Sequence, residues 1–463
     1  SLANVELERQ DVDAAMARLE SLSVEIKSSP SLLAEARYYG ALGECYRRKG
    51  MFQAAITAFE KSIDRGVVRV ASLSSASEKA GVLSTIENSY RGIVAAMVAL
   101  TDHRSAALRT WETYRTLDAA GAPVRRERSD AGALSFVELP DGFAAWISVG
   151  DQVIFHRIPV RKDFIARLVS RFRRECSDPG GDSRALESDA RQLHRWLVEP
   201  FQARLPSDQD QEFIVELDGA LSGVPLQALA SAEGRYLGND YSLMVSSGYS
   251  APGRPTNCDV NSQVVAFINP TIKGDSARRF PLLPDSLNEA DAIRAVFPAA
   301  TLFVGQRATT AALAGAVSGA EVVHFAGHGY ASSENGGLLF APPAQQSEDY
   351  DLVQSADLMR LDWSRCRLAV LSACATAAGE TNGPHNPESL VRALARAGVP
   401  RVVASLWSVD SAATAGLMKA FYEALSSGEP PSRALRRSQE WVRRQPGWSH
   451  PYYWAGFQLY GTR

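Results

Sequence analysis

Apolar residues change their spacing twice along this 463-residue chain. Over the first ~120 residues they recur at the helical period, with few prolines, so this part reads as helices alone. Leu42-Gly43, Tyr46, Gly50, Phe52, Ala55-Ile56, Phe59 and Ile63 fit a helix–turn–helix pair. Gly43 and Ala55 would let its helices approach closely while Tyr46, Phe52 and Phe59 fill the space between them. After Gly121-Ala122-Pro123 and the charged Arg125 to Asp130 segment the period shortens to that of strands. Strands are expected at Leu134 to Leu139 and Ala144 to Val149 around the hairpin dipeptide Asp141-Gly142, and at Val153 to Ile158 after Gly150-Asp151. Helices near 162–175 and 185–204 and strands near 212–217 and 241–247 follow.

Beyond the Pro/Gly/Asn-rich linker Ser250 to Asn261 the chain alternates strand and helix. Strand Val264 to Ile268 precedes Ser286-x-x-Glu289, a capping box opening a helix that ends before Pro298. Strand Thr301 to Val304, a helix from about Thr310 to Val317, and apolar runs Glu321 to Ala326 and Arg367 to Ala373 come next. Asn386 is suited to cap a helix with Pro387 in its first turn and Gly398 past its end. Strand Arg401 to Leu406 and a helix near 411–425 continue the series. This order implies an α/β domain with a mostly parallel sheet covered by helices, whose site lies at the carboxyl ends of the strands.

Charge and cysteine usage narrow the chemistry. A net charge of −3 gives no electrostatic reason to expect nucleic acid or an anionic membrane as partner. No apolar stretch approaches the ~18 residues a membrane helix requires, and the segment from Ser1 lacks a signal pattern. Five scattered cysteines form no disulfide framework, which points to a reducing, cytoplasmic setting. A nucleotide-binding reading fails for want of a glycine-rich phosphate loop. What remains is a histidine and a cysteine at strand ends, His328 and Cys374; two adjacent parallel strands would bring them together as base and nucleophile. The pairs among His324, His328, Cys366 and Cys374 do not follow metal-ligand spacings, so neither metal nor other cofactor is expected.

His324-Phe325-Ala326-Gly327-His328-Gly329, Leu371-Ser372-Ala373-Cys374-Ala375-Thr376-Ala377, Ala397-Gly398-Val399-Pro400 and Val402 to Asp410 resemble the successive motifs of the CHAT domain, a caspase-like peptidase family related to separases and caspases. Weaker likeness runs through Asp218-Gly219, Val224-Pro225-Leu226, Leu282-Leu283-Pro284 with Glu289, and Tyr453 to Phe457. The helix pair around Gly43 resembles one tetratricopeptide repeat, the module that precedes CHAT domains. The resemblance implies three parts: a helical repeat-like region over 1–127, a degenerate caspase-like half over 128–256, and an active half over 257–463. It implies a cysteine endopeptidase acting on a protein substrate, with an activator docking on the helical region, in regulated proteolysis such as prokaryotic antiviral defence or regulated cell death. A catalytically silent scaffold is the competing reading.

Within that resemblance Cys374 is the nucleophile and His328 the general acid/base, with His324 a core histidine. Backbone N–H groups of Gly329 and Cys374 would hold the oxyanion, although a turn glycine is an equally good reading of Gly329. Asp410 and Trp407 are candidates to line the pocket for the side chain before the scissile bond; an acid there would favour a basic residue, as the likeness to separase implies. N-capping of the next helix competes for Asp410. Glu380 and Glu388 are further acidic candidates. The long polar segment Tyr330 to Asp362, with Leu338-Leu339-Phe340 a candidate short strand within it, and the Ala375 to Asn386 stretch are read as loops that a docked partner would order.

Overall fold

The computed structural model describes residues 7, 11–28, 31–74, 76–115, 132–246, 256–331, 336–343, 348–374, 388–408 and 410–461. They divide into two compact units, one holding the described residues within 1–126, 135–164 and 218–220, the other those within 127–134, 165–217 and 221–463. The 128–256 segment is thus shared between the units.

The first unit contains five helices, α1 (Val12–Ser28), α2 (Leu32–Arg48), α3 (Phe52–Ala71), α4 (Ala76–Ala99) and α5 (Arg104–Arg115). Ser31 opens α2 by accepting from the Ala34 N–H, and Gly50, at φ +74°, makes the turn into α3 that a residue with a Cβ would strain. Two glycines of this region face one aromatic ring. A Cβ on Gly43 would stand 2.8 Å from the Phe59 ring, and one on Gly92 of α4 only 2.2 Å from it. Phe59, 2% exposed, is therefore clamped between backbones of α2 and α4, and the helix-pair reading holds.

Strands β1 (Ala133–Leu139), β2 (Gly142–Val149) and β3 (Gln152–Ile158) complete this unit; β2 and β3 pair antiparallel. The turn between β1 and β2 falls at Pro140-Asp141, one residue before the Asp141-Gly142 dipeptide read from the sequence. The apolar sides of β1 and β2 supply Val137, Leu139, Ala144 and Trp146 to the core of α3 to α5, and the Trp146 indole N–H donates to the Arg104 carbonyl at 2.9 Å. Arg91 of α4 donates to both carboxylate oxygens of Asp218, whose Oδ2 also accepts from the Glu138 N–H. The Asp218-Gly219 pair, a weak sequence motif, is thus a structural clasp.

In the second unit α6 (Lys162–Cys176) and α7 (Ser183–Leu197) precede β4 (Glu212–Glu216), β5 (Ser242–Ser246) and β6 (Val264–Ile268). Then come α8 (Ser286–Val296), β7 (Thr301–Val304), α9 (Thr310–Ala316), β8 (Val322–Ala331), β9 (Gly336–Phe340), β10 (Asp351–Gln354) and β11 (Leu368–Cys374). The chain finishes with α10 (Glu388–Arg396), β12 (Arg401–Ser405), α11 (Ser411–Ser426), α12 (Pro431–Arg443) and β13 (Phe457–Gly461). The sheet runs β10-β9-β8-β11-β12-β13-β5-β4, with β6 beside the first half of β8 and β7 beside β6. Pairs β6–β7, β6–β8, β8–β11, β11–β12, β13–β5 and β4–β5 are parallel. The expected mostly parallel α/β sheet flanked by helices is present. Continuous apolar runs give strands buried on both faces, as Val264–Ile268 is at every position.

Three local expectations are corrected. Tyr330 to Asp362 holds more than the short strand read at Leu338-Leu339-Phe340: that strand, β9, pairs antiparallel with the end of β8, and a second one, β10, pairs with β9. Gly329 stands opposite Leu338 in that ladder, not in a turn. β13 is a strand antiparallel to β12 in a stretch read from sequence only as a motif. Gly398, at φ +94°, does end α10, whereas Asn386, Pro387 and the Ala375 to Asn386 stretch lie outside the described residues. Among the described residues no helix is long and apolar enough to cross a membrane.

Candidate active site

Strands β8 and β11 lie in register from Val322 beside Leu368 to His328 beside Cys374. Adjacent strands run about 4.8 Å apart, so the two residues that chemistry singles out in the sequence share one rung of the ladder. Strand β6 leaves β8 earlier, its last pair being Ile268 with Ala326. His328 therefore sits two positions past the last β6 pair and one before β9 joins β8 at Gly329.

A backbone oxygen fixes the histidine. His328 Nε2 lies 2.6 Å from the Pro281 carbonyl, and a carbonyl only accepts, so Nε2 carries the hydrogen. The neutral ring then keeps its lone pair on Nδ1. Phe280 packs against the imidazole with ring centroids 5.5 Å apart. Nothing in the sequence reading pointed to Pro281, since it acts through its main chain.

Asn269 holds the Pro281 loop in place. It is the one non-glycine residue with positive φ among the described residues, at +47°, a conformation asparagine tolerates better than most side chains. Its N–H donates to the Ala326 carbonyl at 2.7 Å, and its Oδ1 accepts from the Leu283 N–H at 3.0 Å. One residue thus ties β8, two positions before His328, to the chain two positions after Pro281. The strand-ending Asn269-Pro270 dipeptide was the available signal.

His324 is the buried core histidine expected, its Nδ1 2.7 Å from the Tyr422 hydroxyl. Burial pushes the Tyr422 pKa well up, with Glu289 adding to the effect, so the phenol stays protonated. The Ser286-x-x-Glu289 capping box does not form. Asp285 precedes α8 without a side-chain bond, and Ser286 donates to the Leu283 carbonyl at 2.6 Å. Glu289 instead turns inward, its Oε1 accepting from Ser372 at 3.3 Å and its Oε2 standing 3.3 Å from His324 Nε2. Tertiary packing overrides a local pattern here.

The proposed pocket residues have other partners. Asp410 caps α11, accepting from the Ala413 N–H at 2.9 Å. Trp407 is buried and its indole N–H donates to the Tyr452 carbonyl at 3.1 Å. Glu380 and the Glu388 side chain lie outside the described residues. Cys45, Cys176, Cys258 and Cys366 are buried thiols outside any disulfide. Burial raises the thiol pKa of Cys45 and Cys176, and pushes Cys258 up to about 12, so these three are poor thiolates.

The family model for the CHAT domain matches residues 187–462. Tetratricopeptide repeat protein 28 of Mus musculus is 26% identical over 328 residues, covering 59% of this chain and 13% of that protein. Its Homo sapiens counterpart is 26% identical over 330 residues with the same shares. The chain therefore spans a small part of these relatives. The crystal structure of the Saccharomyces cerevisiae separase–securin complex matches with a TM-score of 0.49 and 10% identity, covering 98% of this chain and 38% of that one.

Proposed function

Since this chain belongs to the CHAT domain family of caspase-like proteins, we propose that it is a cysteine endopeptidase that cleaves a partner protein with Cys374 and His328. The observation that carries this reading is the shared rung of His328 and Cys374 on parallel strands, with the imidazole held from behind by Pro281. His328 Nδ1 takes the Cys374 proton and the thiolate attacks the peptide carbonyl. The tetrahedral oxyanion is held by the N–H groups of Gly329 and Cys374. As the C–N bond breaks, Nδ1 returns its proton to the departing amine, leaving a thioester that water, deprotonated by the same nitrogen, hydrolyses. The Pro281 carbonyl stabilises the imidazolium formed in between, because Nε2–H stays bonded to it throughout.

The helical region would dock the activator. Such control belongs to regulated proteolysis, including self-killing or antiviral defence. The test is a positional-scanning library of fluorogenic peptides, read with the protein and with its Cys374→Ala variant. Hydrolysis well above the variant supports the reading, whereas equal traces favour a scaffold that only binds.

Asn269 supplies a finer check. Asn269→Gly keeps the left-handed backbone but removes Oδ1, so kcat should fall by about tenfold or more with KM nearly unchanged, as expected when a catalytic group loses its orientation. Asn269→Asp keeps the acceptor for the Leu283 N–H and should restore most of the rate. Equal losses in both would exclude the positioning role.

A further inference from the structure

Cys374 closes β11, and the two neighbours of that strand do not accompany it equally far. β8 stays in register to the end, with Ser372, Ala373 and Cys374 beside Ala326, Gly327 and His328. β12 leaves earlier, its last pair with β11 being Ala404 beside Leu371. The next residue of β12, Ser405, pairs across to Phe457 of β13, and the Leu406 N–H donates to the Gly456 carbonyl at 2.6 Å. Ser372 to Cys374 therefore run on with a strand partner on the β8 side alone. Along a strand the backbone groups of successive residues point alternately to one neighbour and to the other, so part of this overhang faces the side that β12 has left. The Ala373 carbonyl does, and it accepts a hydrogen bond from the Ser405 hydroxyl at 2.6 Å. Both residues are only 2% exposed, so bulk water has no access to supply the donor instead. A serine side chain thus makes the bond that a main-chain N–H would have made had β12 kept its register.

We propose that Ser405 is a positioning residue for the reaction: by holding the Ala373 carbonyl it fixes the backbone of Cys374 on the rung shared with His328. The inference rests on the endopeptidase reading above. The Ala373–Cys374 peptide is planar, and its plane contains the Cys374 nitrogen and Cα as well as the Ala373 oxygen. A bond to that oxygen therefore restrains the atom from which the nucleophile's side chain hangs. Proton transfer to an imidazole works only within hydrogen-bond reach, and a displacement of about 1 Å near reacting groups can cost about a hundredfold in rate. The hydroxyl one residue earlier on β11 has a different task. Ser372 donates to Glu289 Oε1 at 3.3 Å, which ties the strand to α8 and leaves the β12 side to Ser405.

The experiment compares the full chain with Ser405→Ala, which removes the donor, and with Ser405→Cys, whose thiol is only a weak donor. Alkylation of Cys374 by iodoacetamide is located by peptide mapping at about pH 7 and at about pH 9.5, the second lying above the ordinary thiol pKa of ~8.5. At the lower pH Ser405→Ala should react about three- to tenfold more slowly than the wild type, because the thiol there relies on His328 to take its proton. At the higher pH the two should agree within about twofold, since the thiol ionises without help. On the best library peptide kcat should fall about tenfold with KM nearly unchanged, and Ser405→Cys should fall in between. Ser438→Ala removes another buried hydroxyl bond, to the Leu435 carbonyl of α12, and should match the wild type at both pH values, separating positioning from a general loss of stability. Wild-type rates in Ser405→Ala, or a loss of equal size at both pH values, would overturn the proposal. If Ser405→Ala does not fold, wild-type rates in Ser405→Cys would overturn it. A wild type that alkylates no faster than His328→Ala and hydrolyses no library peptide would instead remove the endopeptidase reading, whatever the Ser405 variants do.

Discussion

Cys374→Ala is expected to lower kcat/KM on the best library peptide by about 10⁴-fold or more, and His328→Ala by about 10²–10⁴-fold, with unfolding midpoints near the wild type. The first removes the atom that forms the acyl-enzyme. The second leaves a thiol that is a few per cent thiolate near neutral pH and intrinsically nucleophilic, so attack continues slowly while the departing amine lacks a proton donor. The two groups share one rung and act in one step. The double variant should therefore be no worse than Cys374→Ala alone. Losses that multiplied would show two groups acting independently, and the ladder register would then have no catalytic meaning.

Arg91→Ala should destabilise the unit of helices and meander by about 3–5 kcal/mol, the cost typical of removing one partner from a buried ion pair. The guanidinium is 19% exposed, donates to both oxygens of Asp218 and to Glu87, and stacks over Trp111 at 4.7 Å. Burial alone would lower its pKa, but Asp218 and Glu87 more than offset this and hold it raised, so the charge is firmly kept. Without it the Asp218 carboxylate, 12% exposed, retains the Glu138 N–H but no cation. Urea unfolding of Arg91→Ala, Asp218→Asn and the double variant measures the coupling. The double variant should lose less than the sum of the singles. Additive losses would mean the pair is held for some reason other than stability.

The sequence was most readable where one physical demand dominates. Strands buried on both faces must be apolar throughout, so Val264–Ile268, the His328 strand and the Cys374 strand stood out, and with them the residues at their ends. Asp410 was readable as a cap because the cap lies three residues from its partner. Signals failed where the partner is remote or carries no side-chain signature. The Pro281 carbonyl meets His328 from 47 residues away. Glu289 satisfies a capping-box spacing yet turns toward Ser372 and His324, contacts that exist only once β8, β11 and α8 have assembled. The core of β9 was legible as the apolar Leu338-Leu339-Phe340, whereas β10 was hidden in a stretch whose polar composition reads as loop.

The central claim is that the His328 imidazole activates the Cys374 thiol across one rung of the β8–β11 ladder. It is tested most directly by the second-order rate constant for alkylation of Cys374 by iodoacetamide at neutral pH, located by peptide mapping, in the wild type and in His328→Ala. A thiol whose proton the imidazole can take should react about tenfold faster or more than the same thiol alone, with Cys45, Cys176 and Cys258 unmodified in both. Equal rates in the two proteins would contradict the account.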